Sequence, residues 1–419
     1  MNVLLKSATI IDPKSDFHNK QQDVLIENGI ITKISSRISN PNDYKVIILD
    51  NLHISQGWFD GSVSFGEPGY EERETIVNGL KTSALSGFTA VALNANTFPV
   101  TNSNADVSFL KSKAEKSATD LIPIGALTKG GQGAALAELY DMHNAGAKAF
   151  GDYQKPIASA NLLKIALQYA SNFHGLVCSF PLDTSIALKG VMHEDLTSTR
   201  IGLNGSPSLA EELQVARDLF LLEYTNGKLH IPTISTRRSV ELIREAKNKK
   251  LDVSCSVTIH NLWFTDEVLE TFDTKYKVNP PLRTQNDVEA LIEGLKDGTI
   301  DMVTSDHNPL DIELKKTEFD HAAYGTIGLE SAFGALNSLF STKTVIKLLT
   351  KGRERFGISS QTIGVGNKAN LSLFDPNSKY IFTSEDILSK SKNAIFEGES
   401  LKGKVYGVVN NNKIVINKQ

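Results

Sequence analysis

The sequence predicts an α/β fold: a (β/α)8, TIM-like barrel over residues 56–365, carrying a small β-sandwich domain assembled from residues 1–55 and 366–419. Three observations predict it. Both ends of the chain read as short strands. The roughly 300 residues between them alternate short apolar runs with helix-length segments. A chain of 419 residues, 40% hydrophobic and 22% charged, is too long for one small core and suits a large barrel with a minor companion.

At the N-terminal end, residues 23–34 hold two apolar runs joined by Asn28-Gly29, a hairpin signal whose central residues need positive φ. The C-terminal end repeats this style in residues 369–375, 405–409 and 413–416. Neither end has enough sequence for a sandwich of its own, so the two are expected to pair and bring the termini together. The apolar runs of the middle fall at 89–93, 121–125, 147–150, 229–232, 251–255 and 301–305. Strand-helix alternation argues for a parallel sheet with crossovers, and barrel chemistry gathers where the strands end. Asp60, Asn94 to Thr97, Gly151, Asp152, Ser179, Thr233, Thr258 to Asn261 and Asp306 occupy those ends.

Charge narrows the function classes. The 44 basic and 48 acidic residues, formal net charge −4, are interspersed and leave no footprint for nucleic acid or an anionic membrane. No stretch reaches the roughly 18 to 20 apolar residues of a membrane helix. Small molecules or proteins are the expected partners. Cys178 and Cys255 have no CxxC spacing, and the N-terminus lacks a charged region followed by an apolar run, so a reducing cytoplasm is expected.

Four motifs carry more. They are Lys277-Val278-Asn279-Pro280-Pro281-Leu282-Arg283, the run 57–69 ending in Glu67-Pro68-Gly69, Asn96-Thr97-Phe98-Pro99, and Thr304-Ser305-Asp306-His307-Asn308-Pro309. With them, and with residues 190–218 and 366–376, the chain resembles the dihydroorotases of the class I or multifunctional-complex type, in the amidohydrolase superfamily, nearly end to end. The resemblance implies a barrel of the metallo-dependent hydrolase type and, for the family, hydrolysis of a cyclic amide in pyrimidine biosynthesis. That chemistry uses one or two zinc ions to make hydroxide near neutral pH, and zinc takes imidazole, carboxylate or thiolate ligands.

The resemblance breaks at those ligands. The His-x-His of the first strand falls on Ser62 and Ser64, and the substrate arginine two residues on falls on Gly66. The histidines of the fifth and sixth strands fall on Ser179 and Thr233, and the histidine four residues beyond the catalytic aspartate falls on Leu310. Asp152 matches the bridging aspartate of some relatives, Asp306 the catalytic aspartate, and Asn96 and Asn279 the substrate-binding asparagines. The implied reading is a dismantled metal site with no cofactor expected, although the family uses zinc.

Each survivor also has a plain structural reading. Asp306, beside His307, can serve as a hydrogen-bonded structural carboxylate. Asn96 and Asn279 precede turn-forming residues that favour asparagine for backbone reasons. Arg283 and the Pro-Pro turn fix a loop. His18, His143, His174, His193 and His321 lack the spacing of a metal site and read as surface or capping residues, which leaves His260 as the imidazole near a strand end. Ser62 and Ser64 have no identifiable His-carboxylate partner to make them nucleophiles.

Three functions stay open. The first is an inactive dihydroorotase homologue serving as a structural or regulatory partner of aspartate transcarbamoylase, for which the resemblance offers precedent, with a homo-oligomer also open. The second is an active cyclic amidohydrolase using Asp152, Asp306, His260 and His307, or no metal. The third is a weak binder of a pyrimidine-pathway acid through Asn96 and Asn279, without the arginine clamp missing at Gly66.

Overall fold

The computed structural model describes residues 1–40 and 43–417. Strands Asn2–Ile11, Gln21–Glu27, Ile30–Ser35, Lys45–Ile47 and His53–Gln56 join Leu371–Ile381, Ser400–Asn410 and Lys413–Ile416 in one mixed eight-stranded sheet. The two ends of the chain meet where His53–Gln56 pairs antiparallel with Leu371–Ile381, Leu371 opposite Gln56 and Phe374 opposite His53. The expected pairing of the ends is therefore present. Asn28 and Gly29 turn the N-terminal hairpin with φ of 50° and 77°, the successive positive values a two-residue hairpin loop demands.

Eight parallel strands follow in spatial order: Trp58–Val63, Phe88–Leu93, Asp120–Gly125, Ala149–Phe150, Leu176–Cys178, Leu229–Ile231, Val253–Thr258 and Met302–Thr304. The first and eighth nearly close the barrel through a parallel bridge between Val63 and His307, and the Ser64 N–H donates to the His307 carbonyl at 2.7 Å. The strands are short and buried on both faces, as a sheet wrapped by helices requires. Phe59, Ile124, Met302 and Phe356 fill the barrel floor, with the Phe59 and Phe356 rings 5.1 Å apart.

The junction between sheet and barrel is tight. A Cβ at Gly57 would lie 1.9 Å from Asn370 Oδ1 and 2.1 Å from Thr89 Oγ1, so only glycine passes. The buried Arg353 guanidinium donates to the Gly57 carbonyl and to Thr89 Oγ1, each at 3.0 Å. Trp58 stacks on Phe333 at 4.7 Å and tilts against Phe374 at 5.4 Å, while its indole N–H donates to Ser55 Oγ at 2.9 Å. One aromatic cluster thus serves both units. Cys178 and Cys255 are buried, and burial pushes both thiols up to about 12, which removes them as thiolate nucleophiles.

Candidate functional site

The first barrel strand delivers Asp60, Ser62 and Ser64 to the closing seam. Asp60 is buried and accepts hydrogen bonds from the Thr304 hydroxyl, the Ser305 N–H at 2.9 Å and the Ser62 N–H at 3.0 Å, which fastens the first strand to the end of the eighth. Burial raises its pKa against these donors. Asp306 follows immediately, in a left-handed backbone conformation with φ 46°.

The Asp306 carboxylate is surrounded by donors. Ser62 Oγ donates to Oδ1 at 2.8 Å; the Tyr153 hydroxyl and the Gln154 amide donate to Oδ2 at 3.2 and 3.3 Å. Ser62 in turn accepts from Asn94 Nδ2 at 3.0 Å, and the same amide reaches Ser64 Oγ at 3.3 Å. Gln154 also donates to the Tyr153 oxygen at 3.0 Å and to the Asn279 carbonyl at 2.9 Å. Burial, with Asp60 adding to it, pushes Asp306 up to about 7 in spite of these donors, and burial also raises the Tyr153 phenol, which stays neutral. The network links four of the eight strand ends and the loop before helix Gln285–Asp297.

Beneath it lies an inner cavity of about 40 Å³ lined by Ser62, Asn94, Asp152, His230, Thr233 and Asp306 among others. Such a volume holds a few waters at most. His230 is held between Ser254 Oγ at 2.9 Å and Ser256 Oγ at 3.3 Å, and burial lowers it to about 3, so the ring is neutral. Above Tyr153 and Asp152 an outer pocket of about 630 Å³ opens at the barrel mouth, lined by Tyr70, Arg73, Asn96, Lys155 and Tyr324 with their neighbours. Asn96 Oδ1 is buried there without a partner.

Full-length relatives named dihydroorotase fix the family. A dihydroorotase of Acetivibrio thermocellus is 39% identical over 425 residues, covering 100% of this chain and 99% of its own. Another from Pelotomaculum thermopropionicum is 38% identical over 423 residues, covering 99% of each. The chain belongs to the dihydroorotase family. A family profile described as Dihydro-orotase-like matches residues 53–239. Among solved structures, the L-hydantoinase (dihydropyrimidinase) of Arthrobacter aurescens superposes with a TM-score of 0.86 at 21% identity, covering 100% of this chain and 96% of its own. A dihydropyrimidinase of Brevibacillus agri gives 0.81 at 20% identity, covering 100% and 95%. The last two show a shared fold.

The zinc that likeness to other dihydroorotases implies does not fit the residues present. Ser62 is spent on Asp306, and Ser179 Oγ donates to Asp218 Oδ2 at 2.6 Å, beside the Arg217–Asp218 ion pair. Thr233 sits at φ 50°, its N–H donating to Ser256 Oγ at 3.1 Å. Asp152 is turned toward the loop after the third strand, accepting from the Leu127 N–H at 2.9 Å, the Thr128 N–H at 3.2 Å and the Thr128 hydroxyl. Hydroxyls already committed to carboxylates are poor zinc ligands, and two carboxylates saturated with donors have few lone pairs to offer. The rearranged set fares no better, because no cluster of three or more His, Cys, Asp or Glu gathers among the described residues. His260 and His307 are buried elsewhere; burial lowers them to about 3 and about 4, and His307 Nδ1 accepts from the Gly328 and Leu329 N–H groups at 3.2 and 3.4 Å.

The other residues named from the sequence do not gather at one site either. Gly66 leaves no room for an arginine, since its Cβ would lie 1.8 Å from the Tyr70 carbonyl oxygen. Leu310 is buried. Asn96 lines the outer pocket, Asp306 the inner cavity, and Asn279 contributes its carbonyl to Gln154, so the three are not gathered round one space. Arg283 is buried and donates to Ser235 Oγ at 3.0 Å and the Ser206 carbonyl at 3.2 Å, with Glu211 at 3.7 Å, which ties the loop as its Pro-Pro context suggests. His193 is corrected from a surface or capping residue to a buried one: its Nδ1 accepts from Arg283 at 3.0 Å. Tyr153 and Gln154 were invisible as site residues in the sequence. Their only signal was position, directly after Asp152 at a strand end.

Proposed function

We propose that this member of the dihydroorotase family has given up hydrolysis and serves pyrimidine biosynthesis as a structural or regulatory partner of aspartate transcarbamoylase. The observation that carries the first half is Asp306 buried under Tyr153 and Gln154 beside a cavity of about 40 Å³. Ligand pockets run from about 300 to 1,000 Å³, so that cavity is too small for a cyclic amide. Chemistry points the same way. Metal activation carries a water pKa from about 15.7 to about 7, about 12 kcal/mol, whereas a lone general base is worth roughly 10² to 10⁴ in rate.

The test is a steady-state assay in both directions with added zinc, manganese and cobalt, alongside metal analysis of the purified chain. Well under one zinc per chain and no turnover are expected. Turnover in the usual range of about 1 to 10³ s⁻¹, abolished by Asp306→Ala, would overturn the reading. The partnership is tested by mixing with the aspartate transcarbamoylase of the same organism, where failure to co-elute at micromolar concentrations would refute it.

A further inference from the structure

The end of the barrel away from Asp306 carries another cavity, of about 420 Å³. Gln56 lies in its wall, just before the first barrel strand, Trp58–Val63, whose far end holds Ser62. Helix Thr342–Arg355 forms one side and the loop after strand Asn2–Ile11 the other. Lys343, Lys347 and Lys351 recur at every fourth residue of the helix, a spacing at which like charges repel, and Lys14 joins them from the loop. Lys351 reaches Asp301 at 3.4 Å, whereas Lys14, Lys343 and Lys347 form no ion pair among the described residues. Arg353 completes the wall. It is 3% exposed and donates to neutral groups, the Gly57 carbonyl and Thr89 Oγ1, while its Nε has no partner. The opposite charge that acts on it is Asp120, which lines an adjoining cavity and is occupied by the Asn410 and Asn411 amides at 3.4 and 2.8 Å. A buried guanidinium is ordinarily paired with an anion, and this one has no carboxylate in direct contact among the described residues.

We infer that this cavity binds a nucleoside polyphosphate, its phosphates among Lys14, Lys343 and Lys347 in the field of Arg353 and its base on the apolar floor of Ile11, Pro13 and Ile346. Charge supports that ligand. Five cationic side chains line the cavity against two carboxylates, Asp12 and Glu354. Asp12 is engaged by backbone, accepting from the Lys14 N–H at 3.1 Å and the Ile363 N–H at 2.8 Å, and Glu354 is exposed to water. A concave basic surface with low-dielectric walls concentrates anions, and lysine is a standard point-charge partner of phosphate. Size supports it as well, because the volume falls inside the range of about 300 to 1,000 Å³ that small-molecule pockets occupy. The apolar floor favours a nucleotide over bare phosphate, which has no apolar part to cover it. The interspersed charges elsewhere on the chain offer no track for a nucleic acid, so the anion is a small molecule. The inference does not depend on whether the barrel turns over a substrate, since Asp306 lies at the opposite ends of the strands.

The experiment is titration calorimetry on the full chain at low salt, with ATP, UTP, inorganic tripolyphosphate and adenosine as separate probes. The better of the two nucleotides is expected to bind with a Kd below about 100 µM, at least about tenfold tighter than tripolyphosphate, and adenosine not at all. Lys343→Glu/Lys347→Glu, at exposed positions, weakens the nucleotide by at least about tenfold with unchanged far-UV circular dichroism. Lys379→Glu/Lys402→Glu makes the same charge change at exposed positions outside the cavity and keeps the wild-type Kd. Acetylation by acetic anhydride gives a second readout on the unmutated chain: bound nucleotide slows the reaction at Lys343 and Lys347 and leaves Lys379 unaffected. Absence of binding by either nucleotide at about 1 mM overturns the proposal. So does a control pair that loses as much affinity as the cavity pair, or nucleotide binding that leaves Lys343 and Lys347 unprotected. Tripolyphosphate binding as tightly as the nucleotides overturns it by leaving the apolar floor without a role.

Discussion

Replacing Asp306 with asparagine removes a buried carboxyl whose pKa folding raises from 3.8 to about 7, and it changes little else in shape. A group raised by folding contributes fully below its unfolded value, near 3.8, and that contribution is lost as pH rises through about 7. The displacement, at 1.36 kcal/mol per pH unit, sets a ceiling of about 4 kcal/mol for the burden of ionised Asp306 above neutrality. Asparagine keeps an acceptor for Ser62 and can donate to the Tyr153 oxygen, but it loses the Gln154 donor at 3.3 Å, a cost of about 1 kcal/mol. Asp306→Asn should therefore be about 1 kcal/mol less stable than wild type near pH 4 and up to about 3 kcal/mol more stable near pH 8. Urea melts across that window measure both. A stability difference that stays flat from about pH 4 to about pH 8 would refute the reasoning, because Asp306 would then titrate as it does in the unfolded chain. An enzyme that needs this carboxylate pays for activity in stability; a chain that does not need it gains from losing it.

Two further substitutions probe the strand ends. Gly66→Ala places a Cβ 1.8 Å from the Tyr70 oxygen, so a loss of about 3 kcal/mol or failure to fold is expected, read by urea unfolding; a loss below about 0.5 kcal/mol would mean that the turn yields freely. Thr233→Asn should stabilise by about 1 kcal/mol, because a β-branched residue at φ 50° is strained where asparagine is tolerated, and a lower thermal midpoint would contradict this.

The sequence made the large features legible because they are written locally. Apolar runs at strand length, the Asn28-Gly29 turn and strand-rich ends each need only a few neighbouring residues, and the barrel and the shared end sheet follow from them. The expectation that zinc-binding histidines of the family fall on Ser62, Ser64, Ser179 and Thr233 rested on the motifs around them. The hydrogen-bond network at the strand ends was not readable. The link from Ser62 to Asp306 spans 244 positions and that from Tyr153 to Asp306 spans 153, and neither tyrosine nor glutamine after a strand carries a signature of its own. His193 looked like a surface residue because nothing near it in sequence announces Arg283, 90 positions away.

The pairing of His53–Gln56 with Leu371–Ile381 also sets a clock. Leu371 is made 315 positions after Gln56 (371 minus 56). At about 5 to 20 residues per second, ribosomes need roughly 15 to 60 s to cross that interval. Through that time the N-terminal strands have an unpaired edge, while Trp58 waits for Phe333 and Phe374 to cover it. The nascent chain therefore presents an adhesive strand and an uncovered indole to every neighbouring chain on the polysome. Emergence of Leu371–Ile381 from the exit tunnel marks the moment at which that exposure ends.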